Sequence, residues 1–252
     1  MYKRKKMIAG IILIAAVMLM ACGKEQTQED AGSDSGVGEE KTVSKAVEEI
    51  LVNWTAGEVK VQYGDVKNIT FSESSKQELS EDTTLQYEEN DKELSIEYAK
   101  TGNLGAGAID KTLVITLPDS YVCKRLKVEL VSADLILPSK IQIEECEIHS
   151  DSGTVVLEGG GSVKEMNCET VSGNIELELD EIDTLVCDSV SADVTLLLPK
   201  DSGFRVDTEM IGGEFVSDFE TKQKGEIYTA GDAGAGITMT SLSGDLTIGI
   251  GQ

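Results

Sequence analysis

Aromatic residues and basic charge are both scarce in this chain. Only 4% of its 252 residues are Phe, Trp or Tyr, and 22 Lys and Arg stand against 46 Asp and Glu, which gives a formal net charge of −24. An acidic surface of this size repels nucleic acid and anionic lipid, so neither is expected as an electrostatic partner. We interpret the acidity as the solubility of an exposed surface, with recruitment of divalent cations as the alternative.

Histidine is nearly absent, and this limits the chemistry of the chain. The single histidine, His149, directly precedes a turn serine and is expected on an outer face. No Ser/His/Asp set, paired-cysteine metal spacing or phosphate-binding glycine loop can be assembled from the sequence. We therefore predict no catalytic residues, no metal ligands and no enzyme activity. A carbohydrate-active enzyme is the alternative, with Lys127, Glu129, Lys164, Glu165 and Glu169 on outward positions.

The N-terminus has the layout of a secretory signal. Four basic residues at positions 3–6 precede an apolar run from Met7 to Met20, which is too short to span a bilayer comfortably. The run ends in Leu-Met-Ala-Cys-Gly at 19–23, which resembles the lipobox of bacterial lipoproteins. We predict removal of residues 1–21 and lipidation, with palmitate or a similar acyl chain, at Cys22. A simple N-terminal anchor helix is the alternative, and either interpretation places the chain outside the cytoplasm.

The segment after Cys22 has almost nothing to bury. Removal of residues 1–21 takes away four positive charges, so the formal charge changes from −24 to −28. The lipid, not electrostatic adsorption, must then hold the protein at the membrane. Residues 22–49 are mainly Gly, Ser, Glu, Asp, Gln and Lys, and we predict a disordered acidic tether with a mean span of roughly 25–30 Å. The folded domain is predicted to cover residues 50–252.

An internal repeat is the strongest structural signal in that domain. Its core is a small residue, then Gly or Ala, then an acidic or amide residue, followed by alternating apolar residues. The first four serines are 20, 20 and 19 residues apart, and looser copies begin at Gly212 and, as an early outlier, at Ala56. The corner residues of the strong copies are Ser132, Ala133, Asp134, Ser152, Gly153, Thr154, Ser172, Gly173, Asn174, Ser191, Ala192, Asp193, Ser243, Gly244 and Asp245.

Two apolar columns accompany each copy of the repeat. The residues six and four positions before its first residue are Leu126 and Val128, Cys146 and Ile148, Met166 and Cys168, Leu185 and Cys187, Val206 and Thr208, and Ile237 and Met239. Alternation at i, i+2 places each pair on one face of a strand. A unit of this length cannot bury its own apolar face, so successive copies must stack. We predict an all-β fold: a single-stranded parallel β-solenoid, or β-helix, of about 20 residues per turn, with an irregular N-terminal β region.

The corner residues suit a turn. Glycine accepts positive φ, and Asp, Asn and Ser bond to nearby backbone amides. Stacking could also align Asp134, Asn174, Asp193, Glu214 and Asp245 into a carboxylate ladder, whose oxygens would suit calcium. Because there is one acid per turn and Thr154 interrupts the charge, turn capping is favoured. We predict no cofactor, with calcium as the alternative.

Two segments depart from the repeat. Residues 50–121 contain strand-like runs at 58–63, 68–71, 84–87, 93–98 and 112–117. They are either longer-looped turns of the solenoid or a small antiparallel cap, since open strand edges need covering. Between Gly212 and Ser243 the spacing grows to 31 residues and includes a stretch rich in Gly and Ala at 225–236, where we expect a protruding loop.

Four cysteines remain beyond Cys22. Cys146, Cys168 and Cys187 occupy inward columns and are expected to be buried thiols that pack as small apolar residues. Cys168 and Cys187 should lie on adjacent turns, about 4.8 Å apart, which permits a disulfide in an exported protein although parallel side-chain directions disfavour it. Cys123 has no obvious partner.

The repeated Ser-Gly-Asp-apolar-x-apolar signature, Leu-x-Ile-x-Leu-Pro at 113–118 and the closing Leu-Ser-Gly-Asp-Leu-Thr-Ile at 242–248 resemble the bacterial putative-adhesin family of unknown function. The resemblance implies a β-helical surface domain and brings no catalytic residues with it. We expect a lipid-anchored, extracytoplasmic module that binds an envelope or cell-surface protein or glycan. The alternatives are the enzyme named above and an envelope-stress or signalling component that binds a membrane protein.

Overall fold

The computed structural model describes residues 36–100 and 107–251, so the predicted signal segment, Cys22 and the first part of the tether lie outside the described residues. Regular structure in these ranges is entirely β, and no helix within them has the length and apolarity needed to cross a membrane. The strands form one 18-stranded sheet. They are β1 Gly36–Val37, β2 Lys41–Thr42, β3 Glu49–Gly64, β4 Thr70–Ser75, β5 Gln86–Asn90, β6 Glu93–Glu97, β7 Lys111–Pro118, β8 Cys123–Leu137, β9 Gln142–Ser152, β10 Val155–Ser172, β11 Ile175–Ser191, β12 Val194–Leu198, β13 Phe204–Met210, β14 Phe215–Ser217, β15 Lys222–Lys224, β16 Ile227–Ala230, β17 Ala235–Ser241 and β18 Leu246–Ile250.

The first face of the stack, here called the broad face, is a parallel ladder of the strand segments that precede each corner. Val128 of β8 pairs with Ile148 of β9, Ile148 with Cys168 of β10, and Cys168 with Cys187 of β11. All four side chains are buried. The neighbouring column of Leu126, Cys146, Met166 and Leu185 is stacked and buried in the same way. Strict alternation therefore sends every second side chain into one shared core.

The second face follows the corner. Leu135 at the end of β8 pairs with Val155 of β10, Val155 with Ile175 of β11, and Ile175 with Val194 of β12. The apolar residues after each Ser-Gly-Asp element thus close the core from the other side. The predicted all-β class is confirmed, but the sheet as a whole is mixed, because antiparallel strands cover the N-terminal end of both ladders and the C-terminal end of the broad face.

The last coil breaks the predicted order of stacking. On the broad face Cys187 pairs with Met239 of β17, and Met239 in turn pairs with Thr208 of β13. On the second face β18 lies between β12 and β14. The copy at Ser243 is thus inserted between the copies at Ser191 and Gly212, so the expectation that consecutive copies are neighbours is wrong here.

The Gly- and Ala-rich stretch at 225–236 carries the chain from the outer edge of β13 to its inner edge. The protruding loop expected at 225–236 is wrong: β16 pairs antiparallel with β13 through Val206 and Tyr228, and with β15 on its other side. Small Ala230 and Ala235 are buried beside this hairpin. The chain therefore covers the outer edge of β13 before it returns along the inner edge as β17.

The N-terminal region combines both predicted alternatives. The early outlier is a coil of the stack, since Val52 and Gly57 of β3 pair with Val128 and Ala133 of β8. On the far side of β3, the strands β6 and β7 pair with it in parallel. β5 and β4 then cover β6 and β7 in antiparallel fashion.

Part of the predicted tether belongs to this cap. β1 and β2, which lie within the 22–49 segment, pair antiparallel with β4. Val43 and Val47 are buried in the core. Regular structure is therefore present before Ile50, because two isolated valines in a polar segment find apolar partners that composition alone does not indicate.

Candidate functional site

The acidic corner residues bond between coils. The Oδ1 atom of Asp134 accepts a hydrogen bond from the backbone N–H of Thr154 at 2.7 Å, and Oδ1 of Asp193 accepts one from Asp245 at 2.9 Å. Asp245 repeats the pattern with the N–H of Glu214 at 2.7 Å. The sequence predicts that these side chains cap amides close to them in the chain. In the structure, the amides that they cap belong to the neighbouring coil. Each carboxylate therefore joins two coils at the corner, and its charge strengthens the bond.

The serines and glycines of the corner also act across coils. Oγ of Ser152 donates to the carbonyl of Val131 at 3.1 Å, and Oγ of Ser172 donates to that of Asp151 at 3.3 Å. Gly153 and Gly173 have φ of 118° and 110°. A Cβ on Gly173 would lie 2.0 Å from the carbonyl oxygen of Gly153. The other predicted corner residues, Ser132, Asn174, Ser191, Ser243 and Gly244, lie in the same stacked corner.

The acidic corner residues of the described ranges stand one to a coil and do not converge. Across the described ranges, no three His, Cys, Asp or Glu side chains come together as metal ligands would. An oxygen of each carboxylate of Asp134, Asp193 and Asp245 is already bonded to an amide of the next coil. This geometry lends no support to the calcium alternative.

Charged side chains form regular rows on the outside of the broad face. Ion pairs link successive coils: Arg125 with Glu147 at 2.8 Å and Lys164 with Glu144 at 3.1 Å. Nδ1 of His149 lies 3.1 Å from Oε2 of Glu169, at hydrogen-bond distance. The side chains of both ion pairs are 22–60% exposed, so each pair contributes about 1 kcal/mol or less. Lys127, Glu129 and Glu165 also point outward, as predicted. The rows follow the strand spacing, and Glu145 and Glu165 are direct neighbours in register.

The four cysteines beyond Cys22 are free and buried. Cys168 and Cys187 are register partners, and the hydrogen bond between their thiols, together with burial, holds the pKa of Cys168 well above its usual value. Burial raises the pKa of Cys123 to about 12. Because the thiolate is the reactive form, the raised pKa values of Cys123 and Cys168 lower the reactivity of these two thiols. The disulfide between Cys168 and Cys187 stays a prediction.

A buried ion pair in the N-terminal cap was not predicted. Nζ of Lys111 lies 2.7 Å from Oε2 of Glu73, and the two side chains are 0% and 1% exposed. The ammonium group also donates to the carbonyl oxygens of Thr83 and Tyr98 and lies 4.8 Å from the centroid of the Trp54 ring. Burial lowers the pKa of Lys111. A sequence signal exists, because Lys111 shares the inward parity of Leu113, Ile115 and Leu117.

A buried hydroxyl column was also missed. Two positions before the corner serine, the inward residues are Ser150, Thr170, Ser189 and Ser241. Oγ of Ser189 donates to Oγ of Ser241 at 3.0 Å, and Oγ of Ser150 donates to the carbonyl of Ser152 at 3.1 Å. The repeat carries the signal, since hydroxyl residues recur at this one position. They satisfy polar backbone where the core meets the corner.

The comparisons with known proteins agree with this geometry. Two overlapping stretches, 47–160 and 139–249, match the Toastrack DUF4097 family. A putative cell adhesion protein from Clostridium sporogenes superposes with a TM-score of 0.56 at 18% identity, over 86% of this chain and 100% of that one. A putative adhesin from Bacteroides fragilis has a TM-score of 0.44 at 13% identity, over 86% and 97%. At such identities the likeness concerns the fold alone.

No curated protein matches the chain. The predicted resemblance to the putative-adhesin family is nevertheless confirmed by the family match, and the fold of the Clostridium sporogenes protein agrees with it. The matched stretches together extend from residue 47 to residue 249. This chain therefore belongs to the Toastrack DUF4097 family.

Proposed function

We propose that this chain is a bacterial surface lipoprotein that displays a non-enzymatic β-solenoid as an adhesion or envelope-interaction module. In this proposal the unit of the module is the single-stranded parallel coil of about 20 residues, repeated along both faces. The register offsets between Val128, Ile148, Cys168 and Cys187 support that unit. The partner is an envelope or cell-surface protein or a glycan.

The observation that carries the proposal is the set of charged rows on the broad face. The stacked core fixes the backbone beneath them, so each row repeats at the strand spacing of about 4.8 Å. Arg125, Glu145 and Glu165 follow one another in one such row. Because the backbone beneath a row is already ordered, a partner can contact the row at several points without ordering that backbone, and this lowers the entropic cost of binding. Weak individual contacts then add up along the stack.

The anchor is the second part of the proposal. A lipid on Cys22, with the polar residues that follow it, would keep the module near the membrane without electrostatic attraction. A chain with an excess of acidic residues would otherwise move away from an anionic leaflet. The anchor thus supplies location, and the stack supplies recognition.

Metabolic labelling tests the anchor. Cells that express the full chain are grown with radiolabelled palmitate, beside cells that express Cys22→Ala. We expect label in the full chain and none in the variant, with the full chain in the membrane fraction. Unlabelled full chain, or equal labelling of the variant, would contradict anchoring at Cys22.

Capture from envelope fractions tests the display role. The full chain is compared with Glu165→Lys/Glu169→Lys, which reverses charge on the broad face, and with the matched control Glu158→Lys/Glu176→Lys, which makes the same charge change elsewhere on the exposed surface. We expect a protein or glycan that the full chain and the control retain and the broad-face variant loses. Equal recovery by both variants, or no specific partner, would contradict binding through the broad face.

A further inference from the structure

The two ends of the second face differ in how their edges are covered. At the N-terminal end, β1 and β2 pair with the outer side of β4. At the C-terminal end, the last strand, β14, has β18 as its strand partner on one side. Among the strand pairings of the described ranges, none involves the other side of β14. An uncovered strand edge can pair with another chain.

The hydrogen-bond pattern shows which backbone groups face outward. The carbonyl of Glu214 accepts from the N–H of Leu246, and the N–H of Asp218 donates to the carbonyl of Ile248. In a parallel ladder, alternate residues bond to the same neighbour, so positions 214, 216 and 218 face β18. The N–H and C=O groups of Phe215 and Ser217 therefore point to the uncovered side.

Apolar side chains are exposed around this edge. Val216 is 49% exposed, and Ile211, at the corner that leads into β14, is 78% exposed. Leu242, which is 42% exposed, belongs to the adjacent coil, because the N–H of Gly212 donates to its carbonyl at 3.0 Å. Exposed apolar side chains near a strand edge are suitable contacts for a bound molecule.

The charges that flank β14 indicate what kind of segment can pair with its outer edge. The exposed acids Glu214 and Asp218 lie at the two ends of β14, with apolar Val216 between them. A second copy that paired β14 with β14 in antiparallel fashion would place these acids opposite each other, and like charges facing across strands are destabilising. An extended segment with apolar residues between lysines or arginines complements both the ends and the middle.

We propose that the outer edge of β14 binds an extended basic segment of a partner protein as an additional strand. The backbone groups of Phe215 and Ser217 supply the ladder bonds, Val216 packs against the apolar residues, and Glu214 and Asp218 pair with the flanking cations. The inference rests on the proposed display function but uses a different surface from the broad face.

A labelled peptide tests this site. The full chain in nonionic detergent is titrated into a fluorescent seven-residue peptide with lysine at its second and sixth positions, valine at its fourth and serine or threonine elsewhere, so that lysine, valine and lysine share one face of the strand. Anisotropy is measured at physiological ionic strength. Ser217→Pro removes one outward N–H without a role in the β18 ladder, and edge strands tolerate proline. Ser217→Ala is the matched control, because it also loses the bond from the N–H of Phe219 to Oγ of Ser217 but keeps the backbone donor.

We expect Ser217→Pro to weaken binding about ten-fold or more, and Ser217→Ala to bind as the full chain does. The same peptide with N-methyl groups on alternate residues should not bind the unaltered chain, and this comparison needs no folded variant. Equal binding of the N-methylated peptide would overturn the proposal, and so would unchanged binding by a folded Ser217→Pro chain. If the unaltered chain self-associates and Ser217→Pro abolishes this self-association, the edge of β14 binds a second copy of the chain, and the proposal of a basic partner segment is overturned. Envelope capture through the broad face is unaffected by any of these results.

Discussion

At the residue scale, backbone geometry determines whether a corner of the stack carries glycine or alanine. Gly153 and Gly173 have positive φ, whereas Ala133 and Ala192 do not, since Lys140 and Ala233 are the positive-φ residues other than glycine in the described ranges. The sequence pattern already indicates that Ala is tolerated at some copies. It does not indicate that the obstacle at the others is the carbonyl of the coil below.

Replacement of Gly173 by alanine tests this corner. The added Cβ would lie 2.0 Å from the carbonyl oxygen of Gly153, at a φ that alanine rarely adopts. We expect a loss of more than about 2 kcal/mol in the free energy of unfolding, measured by urea denaturation. Ala192→Gly, at the same position of another coil, should cost about 1 kcal/mol or less. Equal effects of the two changes would refute the clash.

The buried thiols predict a loss of stability at alkaline pH. The pKa of Cys123 is about 12 in the folded state, against 9.0 for an ordinary thiol. Between these values the unfolded chain binds fewer protons, so the stability that is fully present below pH 9 decreases as the pH rises. The expected slope is about 1.4 kcal/mol per pH unit for this thiol.

The matching measurement is urea unfolding at several values between pH 8 and about pH 11. For Cys123→Ala, the free energy of unfolding should decrease less steeply with pH than for the unaltered chain, by the slope of one thiol. This difference in slope is expected whatever the stability of the variant at neutral pH. Burial raises the pKa of Cys146 in the same direction, so part of the slope remains in the variant. Identical slopes would show that Cys123 ionises as easily folded as unfolded.

At the scale of elements, the buried pair of Glu73 and Lys111 ties β4 to β7 in the N-terminal cap. Lys111→Met leaves the Glu73 carboxylate buried without its cation, which typically costs about 3–5 kcal/mol. The double change Glu73→Leu/Lys111→Met removes both charges and should restore most of that loss. Denaturant unfolding of the unaltered chain and the two variants compares their free energies of unfolding. If Lys111→Met lowered this free energy no more than a surface substitution does, a structural role of the pair would be contradicted.

Strand positions could be predicted where alternation is strict, as in Leu126–Leu130 and Leu113–Leu117. The order of the last coils could not, because Met239 and Thr208 stand at the same repeat position and either can follow Cys187. The choice depends on the hairpin of β15 and β16, which looks like a loop in the sequence. The buried Lys111 was missed because a charge in an apolar column looks like an irregularity.

At the scale of the whole molecule, sequence and structure agree on a stack with one apolar interior and charged rows outside. The outward charges were predictable, because parity alone places Glu129, Glu165 and Glu169 on the solvent side. The asymmetry of the two ends was not, since it depends on which strands the polar segment 36–42 and the insertion at 225–236 cover. Pairing between distant segments carries little local sequence signal.

Disulfide trapping tests the stack and its order most directly. Asp188 and Thr240 are register partners on the outside of the broad face, and Glu209 lies on the far side of Thr240. We expect Asp188→Cys/Thr240→Cys to form an intramolecular bond on oxidation. Asp188→Cys/Glu209→Cys should not, because two strand spacings of about 4.8 Å exceed the reach of a disulfide. A bond in the second variant and none in the first would contradict the stack described here.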